Sequence, residues 1–208
     1  LPMRRIAILI VWLLAGTSLR AHAAEHRVLF IGNSLTYVND LPNAFASLAT
    51  SRDDVRVDMI ARPGAQLGDY VDDPIVIKTI KEGRYSDVIL QERGGEAFCA
   101  SACQKAGAPL DAERPALLLA RLARTAGARV FYLGTWQTSR ETNQALEYGE
   151  RHIAEAIGAA YVEIAEPRRA LMDAKPSLAW THADGQHPGY ATTAFMASRV
   201  WRAVFGSP

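Results

Sequence analysis

The chain has 208 residues, with 23 Lys and Arg against 22 Asp and Glu and a formal net charge of +1. A near-neutral chain without a cluster of basic residues argues against nucleic acid as a partner. The length fits one domain around one hydrophobic core, and the sequence contains no internal repeat or low-complexity segment.

Residues 1–23 have the layout of a secretory signal peptide. Residues 3–5 (Met-Arg-Arg) are positive, Ile6–Ala15 is an apolar run, and residues 21–23 (Ala-His-Ala) form a small-x-small cleavage site. The alternative is a membrane anchor, but this apolar run is well short of the roughly 20 residues that span a bilayer. We therefore expect residues 24–208 to form a secreted or periplasmic domain without a stable membrane anchor.

Strands and helices alternate along the rest of the chain. Short apolar runs predict five strands, at residues 27–31, 55–60, 87–91, 129–133 and 161–164. Helical spacing predicts helices at residues 42–51, 67–81 (weaker, and interrupted at Pro74), 111–126, 141–157, 167–173 and 190–205. Residues 92–109 lack periodicity and predict a long loop. This order predicts an α/β fold, a flavodoxin-like three-layer sandwich with a five-stranded parallel sheet.

Two cysteines, Cys99 and Cys103, fall within the predicted loop. Export would make a disulfide chemically possible, although so short a loop adds little stability in the chain-entropy model. The redox motif Cys-x-x-Cys has one residue fewer between its cysteines. A local disulfide and two free thiols are both compatible with the sequence.

Polar residues that follow the strands are the candidates for function, because ligands of such sheets bind beyond the carboxyl ends of the strands. Ser34 follows the first strand and precedes a helix, where backbone N–H groups stabilise negative charge. A lone serine there is more often a turn residue or a helix cap. Asp184 and His187, three residues apart in a turn near the C-terminus, supply the carboxylate and imidazole that a serine hydrolase needs.

Two sequence blocks resemble those of the SGNH hydrolases, also called GDSL-type esterases. Residues 30–36 (Phe-Ile-Gly-Asn-Ser-Leu-Thr) are similar to the block at the end of that family's first strand, with Asn33 in place of the usual Asp. Residues 184–188 (Asp-Gly-Gln-His-Pro) match the Asp-x-x-His block that precedes the closing helix. The lipase-type Gly-x-Ser-x-Gly elbow is absent, because Thr36 stands where its last glycine would be.

The resemblance implies Ser34 as the nucleophile, His187 as general base and then acid, and Asp184 as the group that orients the imidazole. It also implies an oxyanion hole made by the Ser34 N–H, a glycine N–H after the second strand and an asparagine side chain after the third. Gly64 is the best match for the glycine. The usual Gly-x-Asn-Asp block is missing, and Gln91 is our candidate for the third donor.

Other residues near these positions are assigned by their place in the chain. Trp136 follows the fourth strand, where it would contact a sugar or acyl group or else cap the core, and Tyr37 would shape the mouth of the pocket. His182 matches no block and is interpreted as a loop or rim residue. Nothing in the sequence resembles a metal-ligand cluster or a phosphate loop, so no cofactor and no metal are expected.

These residues together predict an exported serine esterase. It would hydrolyse a small acyl group, with acetyl as the leading case, from a small-molecule or carbohydrate ester through an acyl-serine intermediate. One alternative is an O-acyltransferase that uses the same serine. Another is a non-catalytic carbohydrate-binding domain on the hydrolase scaffold, which the missing third block suggests.

Overall fold

The computed structural model describes residues 25–49, 54–99 and 110–206. Within these ranges five strands form one parallel sheet in the order β2-β1-β3-β4-β5. The strands are β1 (His26–Gly32), β2 (Val55–Ala61), β3 (Asp87–Leu90), β4 (Arg129–Leu133) and β5 (Ala160–Val162). The predicted α/β class and five-stranded parallel sheet are therefore confirmed. The predicted signal peptide lies outside the described residues.

Helices connect the strands. They are α1 (Ser34–Tyr37), α2 (Leu41–Ala46), α3 (Pro74–Glu82), α4 (Glu113–Thr125), α5 (Arg140–Ala156), α6 (Ala165–Ala174) and α7 (Tyr190–Phe205), with a 3₁₀-helix at Leu67–Tyr70. The helix predicted at residues 67–81 is split, because Pro74 begins a new helix whose first turn is capped by Asp73. The one-turn helix α1 was not expected. No helix within the described ranges is long and apolar enough to cross a membrane.

The sheet has a hydrophobic layer on each face because strand side chains alternate between the two sides. Leu29, Val88 and Tyr132 belong to a cluster that includes apolar residues of α3, α4 and α5. Their neighbours along the strands, such as Phe30 and Ile89, face a second cluster that includes α2 and α7. The result is the predicted three-layer sandwich.

The segment that follows β3 packs closely against α5. A Cβ added to Gly149 would overlap the carbonyl oxygen of Ala97, and Cys99 N donates to the carbonyl oxygen of Ala145 over 3.2 Å. Cys99 is disulfide-bonded, which excludes the free-thiol alternative for this residue, whereas Cys103 lies outside the described residues. The helix surface at Gly149 is thus shaped to receive a backbone carbonyl.

Gly149→Ala should destabilise the protein, although alanine is normally the better helix former by about 0.5–1 kcal/mol. The added methyl has no room beside Ala97, and overpacking of this kind typically costs about 1–3 kcal/mol. The free energy of unfolding measured in urea should fall accordingly. The control is Gly68→Ala, whose Cβ would lie 3.7 Å from Pro115 Cγ, an ordinary contact. A stabilised Gly149→Ala protein would contradict this packing.

Candidate active site

A cavity of about 600 Å³ opens at the edge of the sheet where the strands have their carboxyl ends, and we call it the edge cavity. Of the residues predicted to form a site, Ser34, Gly64, Trp136 and His187 line it. These residues come from four separate connections, after β1, β2 and β4 and before α7. The fold thus brings together side chains that are far apart in the sequence.

Ser34 is the first residue of α1, and Asn33 fixes the turn that leads into it. Asn33 is buried; its Oδ1 accepts a hydrogen bond from Leu35 N at 3.0 Å, which caps the helix. Its Nδ2 donates to the carbonyl oxygen of Ala65 at 3.2 Å. Because Ala65 follows Gly64, this one side chain ties the Ser34 turn to the loop that carries the predicted oxyanion-hole glycine.

The buried side chain of Glu92 also holds the loop around Gly64, through a residue on the C-terminal side of that glycine. Gly64 has a φ of +65°, a left-handed conformation that glycine adopts without strain. Both carboxylate oxygens of Glu92 lie 3.2 Å from the Leu67 backbone N–H, and one accepts from Arg93 N at 2.7 Å. Burial raises the pKa of Glu92 to about 7 despite these donors. Glu92 is not among the site residues that the sequence predicts.

His187 and Asp184 lie in a short hairpin that is closed by an antiparallel bridge between Thr181 and Pro188. His187 Nδ1 and Asp184 Oδ2 are 2.7 Å apart, and Asp184 Oδ1 accepts from the Gln186 and His187 backbone N–H groups at 2.9 and 3.0 Å. The hydrogen bond from Gln186, followed by those from His187, lowers the pKa of Asp184 well below its usual value. Among the described residues Nε2 of His187 has no hydrogen-bond partner, so it is available to a group in the cavity.

His182 contacts the same carboxylate but does not line the edge cavity. Its Nδ1 lies 3.0 Å from Asp184 Oδ2, the oxygen that also bonds His187. The two imidazole rings meet edge to face, with their centroids 6.5 Å apart. Of the two histidines, only His187 combines a carboxylate partner with a place on the cavity wall.

Asn39 connects the serine side of the edge cavity to the histidine side. Its Nδ2 donates to the carbonyl oxygen of Pro188 at 2.7 Å and lies 3.5 Å from Thr193 Oγ1. The residue adopts a φ of +59°, a conformation that asparagine tolerates better than most residues. This contact fastens the turn after α1 to the chain immediately after His187.

Gln91 does not point into the edge cavity, so its predicted orientation is wrong. Its side chain is 1% exposed and its Oε1 accepts from Thr36 Oγ1 at 2.6 Å, while its buried Nε2 has no hydrogen-bond partner in the part of the chain that the structure describes. Gln91 N still donates to the Ile31 carbonyl oxygen at 2.9 Å, so the strand continues through this residue. The pleat therefore places the side chain on the sheet face that carries Ile89, beneath α1.

The two predicted substrate-binding aromatics differ in position. Trp136 lines the edge cavity, with the Arg168 guanidinium 4.8 Å from the centre of its ring. Tyr37 ends α1, where the chain turns towards α2, and it is not among the described residues that line the cavity. The structure therefore does not support a substrate contact for Tyr37.

A second buried acid holds the connection after β4. The Glu150 carboxylate accepts from the Thr135 N–H at 2.8 Å, the Thr135 hydroxyl at 2.7 Å and the Tyr161 hydroxyl at 2.8 Å. Asn143 Oδ1 accepts from Gln137 N at 2.6 Å. These bonds fix both sides of Trp136. Burial raises the pKa of Glu150 to about 7.

Three arginines that are not among the predicted site residues also line the edge cavity, namely Arg93, Arg168 and Arg169. Arg93 follows β3, and the other two lie in α6 directly after β5. Their place after the fifth strand indicates this edge of the sheet, whereas the docking of α6 decides that they line the cavity. Within the described ranges no group of three or more His, Cys, Asp or Glu could hold a metal ion.

Solved structures with the same architecture are SGNH hydrolases and esterases. A putative SGNH hydrolase from Slackia heliotrinireducens is 24% identical, with a TM-score of 0.68 over 86% of this chain and 99% of that chain. A catalytic mutant of an acetylxylan esterase from Geobacillus stearothermophilus is 13% identical, with a TM-score of 0.62 over 86% and 94%. The psychrotrophic esterase EstA from Pseudoalteromonas is 12% identical, with a TM-score of 0.58 over 86% and 97%.

The chain thus has the fold of the SGNH hydrolases, as the two sequence blocks led us to expect. No family model matches the chain, and no curated protein matches it in sequence.

Glu150→Gln should reduce the pH dependence of stability. A glutamate that keeps its proton to about pH 7 when folded, but loses it near 4.5 when unfolded, lowers the free energy of unfolding as pH rises between these values. At 1.36 kcal/mol per pKa unit the loss is on the order of 3 kcal/mol. Urea unfolding between pH 5 and 8 should give a flatter profile for the variant.

The matched control is Glu141→Gln, at the exposed start of the same helix, which should keep the wild-type profile. An unchanged profile in Glu150→Gln would mean that Glu150 is not the titrating group.

Proposed function

We propose that this chain is an exported serine esterase that removes a small acyl group, with acetyl as the leading case, from a small-molecule or carbohydrate ester. The observation that carries the proposal is that Ser34 and His187 line the same cavity, with His187 bonded to the carboxylate of Asp184. The structural neighbours support it, since they include an acetylxylan esterase and the esterase EstA. Export rests on the signal-like N-terminus alone.

In this proposal the reaction has two halves. Ser34 Oγ attacks the acyl carbon while His187 Nε2 takes the hydroxyl proton, and Asp184 stabilises the imidazolium that results. The tetrahedral intermediate collapses, the ester oxygen leaves with the proton from His187, and the acyl group stays on Ser34. Water, deprotonated by the same nitrogen, then attacks the acyl-serine and releases the carboxylic acid. The Ser34 side chain recovers its proton from His187.

Backbone N–H groups would stabilise the oxyanion. Ser34 contributes its own N–H at the start of α1, and Gly64 contributes the second from the loop held by Asn33 and Glu92. Such donors act on the transition state more than on the bound ester, so they raise the turnover number. We leave Gln91 out of this proposed hole, because its buried side chain bonds Thr36 and is not among the described residues that line the edge cavity.

Ser34→Ala should lower ester hydrolysis by on the order of 10⁴-fold or more while the fold stays intact, because the acyl intermediate cannot form. Hydrolysis of p-nitrophenyl acetate and labelling by a fluorophosphonate probe are the measurements. The matched control is Ser198→Ala, an exposed serine of α7, which should remain active and labelled. Wild-type protein that neither reacts with the probe nor hydrolyses any ester would favour the binding-domain alternative.

His187→Ala should lower turnover by about 10²–10⁴-fold, the range for loss of a general base. His182→Ala should cost much less, because His182 does not line the cavity. The lowered pKa of Asp184 keeps that carboxylate ionised at neutral pH, so it can orient the His187 imidazole. Rates of ester hydrolysis by the two histidine variants check this, and an inactive His182→Ala beside an active His187→Ala would reverse the assignment.

A further inference from the structure

The edge cavity has a charge pattern that ester hydrolysis does not require. Three arginines line it, Arg93, Arg168 and Arg169, and no Asp or Glu is among the described residues of its wall. Asp184 lies behind His187, outside the lining. A neutral ester has no charge of its own in the ground state for these groups to bind, so the pattern suggests a second, negatively charged part of the substrate.

Two of the three arginines have acidic partners. Arg93 forms an ion pair with Glu96, with Nε 2.9 Å from Oε1. Arg169 Nε lies 3.9 Å from Glu166 Oε1, and its Nη2 donates to the Thr138 carbonyl oxygen. Their charges are therefore partly neutralised by the protein itself.

Arg168 has no carboxylate partner within the described residues, although it is only 6% exposed. Its Nε donates to Thr192 Oγ1 at 2.9 Å and its Nη2 to the Trp180 carbonyl oxygen at 3.2 Å, while Nη1 has no acceptor there. Burial, and then the neighbouring charge of Arg169, lower the pKa of Arg168 to about 10. The group still carries its charge at neutral pH.

A purely structural role does not account for Arg168. Holding the Trp180 carbonyl and the Thr192 hydroxyl needs hydrogen-bond donors, which a neutral amide would also supply. A buried charge without a counter-ion is costly, and proteins normally pair such groups. One uncompensated cation on a cavity wall, packed on the Trp136 ring, therefore suits a ligand that brings one negative charge of its own.

We propose that Arg168, assisted by Arg169, binds a carboxylate on the substrate, so that the preferred substrate is an acyl ester of an acidic molecule such as a uronic acid glycoside. A carboxylate matches the planar guanidinium in shape and supplies one negative charge to pair with Arg168. Trp136 would contact the face of the sugar ring. This inference rests on the proposed ester hydrolysis at Ser34.

The test compares two substrates that differ only in charge, a mono-O-acetylated methyl glucuronoside and the matching mono-O-acetylated methyl glucoside. We expect kcat/KM to be about 10–100-fold higher for the acidic sugar, the range for a charge-assisted hydrogen bond. Arg168→Gln should bring this ratio close to one. Arg202→Gln, the same change on the exposed part of α7, should keep the wild-type ratio. If Arg168→Gln does not fold, Arg169→Gln tests the same site, and it should lower the kcat/KM ratio of the acidic to the neutral sugar without bringing it to one.

A binding measurement separates this inference from the esterase proposal. Calorimetry with methyl glucuronoside and methyl glucoside, neither acetylated, should detect preferential binding of the acid to the Ser34→Ala protein. If hydrolysis depends on Ser34 but kcat/KM is equal for the acidic and the neutral acetylated sugar, the anion site is overturned and the esterase proposal stands. If neither ester is hydrolysed but methyl glucuronoside still binds preferentially, the esterase proposal is overturned and the anion site stands. Tighter binding of methyl glucoside 6-phosphate would overturn the choice of a carboxylate.

Discussion

Parallel pairing of β1 with both β2 and β3 is the constraint on which the candidate site depends. The register aligns Gly32 with Ala61 on one side and Ile31 with Leu90 on the other, so the three strands end at one edge. The chain leaves each strand there, and the three connections that begin at this edge carry Ser34, Gly64 and Glu92. Their proximity is a consequence of backbone hydrogen bonds made several residues earlier.

The edge itself is held by side chains that bond to backbone groups of other connections. Asn33 bonds the Ala65 carbonyl, Asn39 bonds the Pro188 carbonyl, and Glu92 accepts from the Leu67 N–H. Asn33 and Asn39 are uncharged, but Glu92 is an acid whose burial opposes ionisation. The same is true of Glu150, which lies farther along this edge. Loop geometry around the cavity is thus maintained at a cost in stability at neutral pH, a pattern common at functional sites.

Features that depend on local sequence pattern, such as strands and short turns, could be predicted from the sequence. The direction of individual side chains in the folded protein could not. Short apolar runs predicted the five strands, and the Asp-x-x-His spacing was enough to pair Asp184 with His187, since the contact lies within one turn. Gln91 was correctly placed at the end of the third strand but misassigned in direction, because the pleat turns its side chain under α1 and not into the cavity. Arg168 was missed because its place in the cavity is set by how α6 docks.

The hairpin closed at Thr181 and Pro188 contains the contact between Asp184 and His187, but not the contact between His187 and Ser34 that the proposed mechanism needs. The alignment of Asp184 with His187 is encoded within a few consecutive residues and survives any movement of the hairpin as a unit. The alignment of His187 with Ser34 depends on how the whole hairpin rests against α1, where Asn39 is the fastening. Asp184 and His187 therefore form one local unit. Under the proposed mechanism, a small displacement of that unit from Ser34 would stop ester hydrolysis while the core stays folded, so loss of activity and unfolding would be separate events.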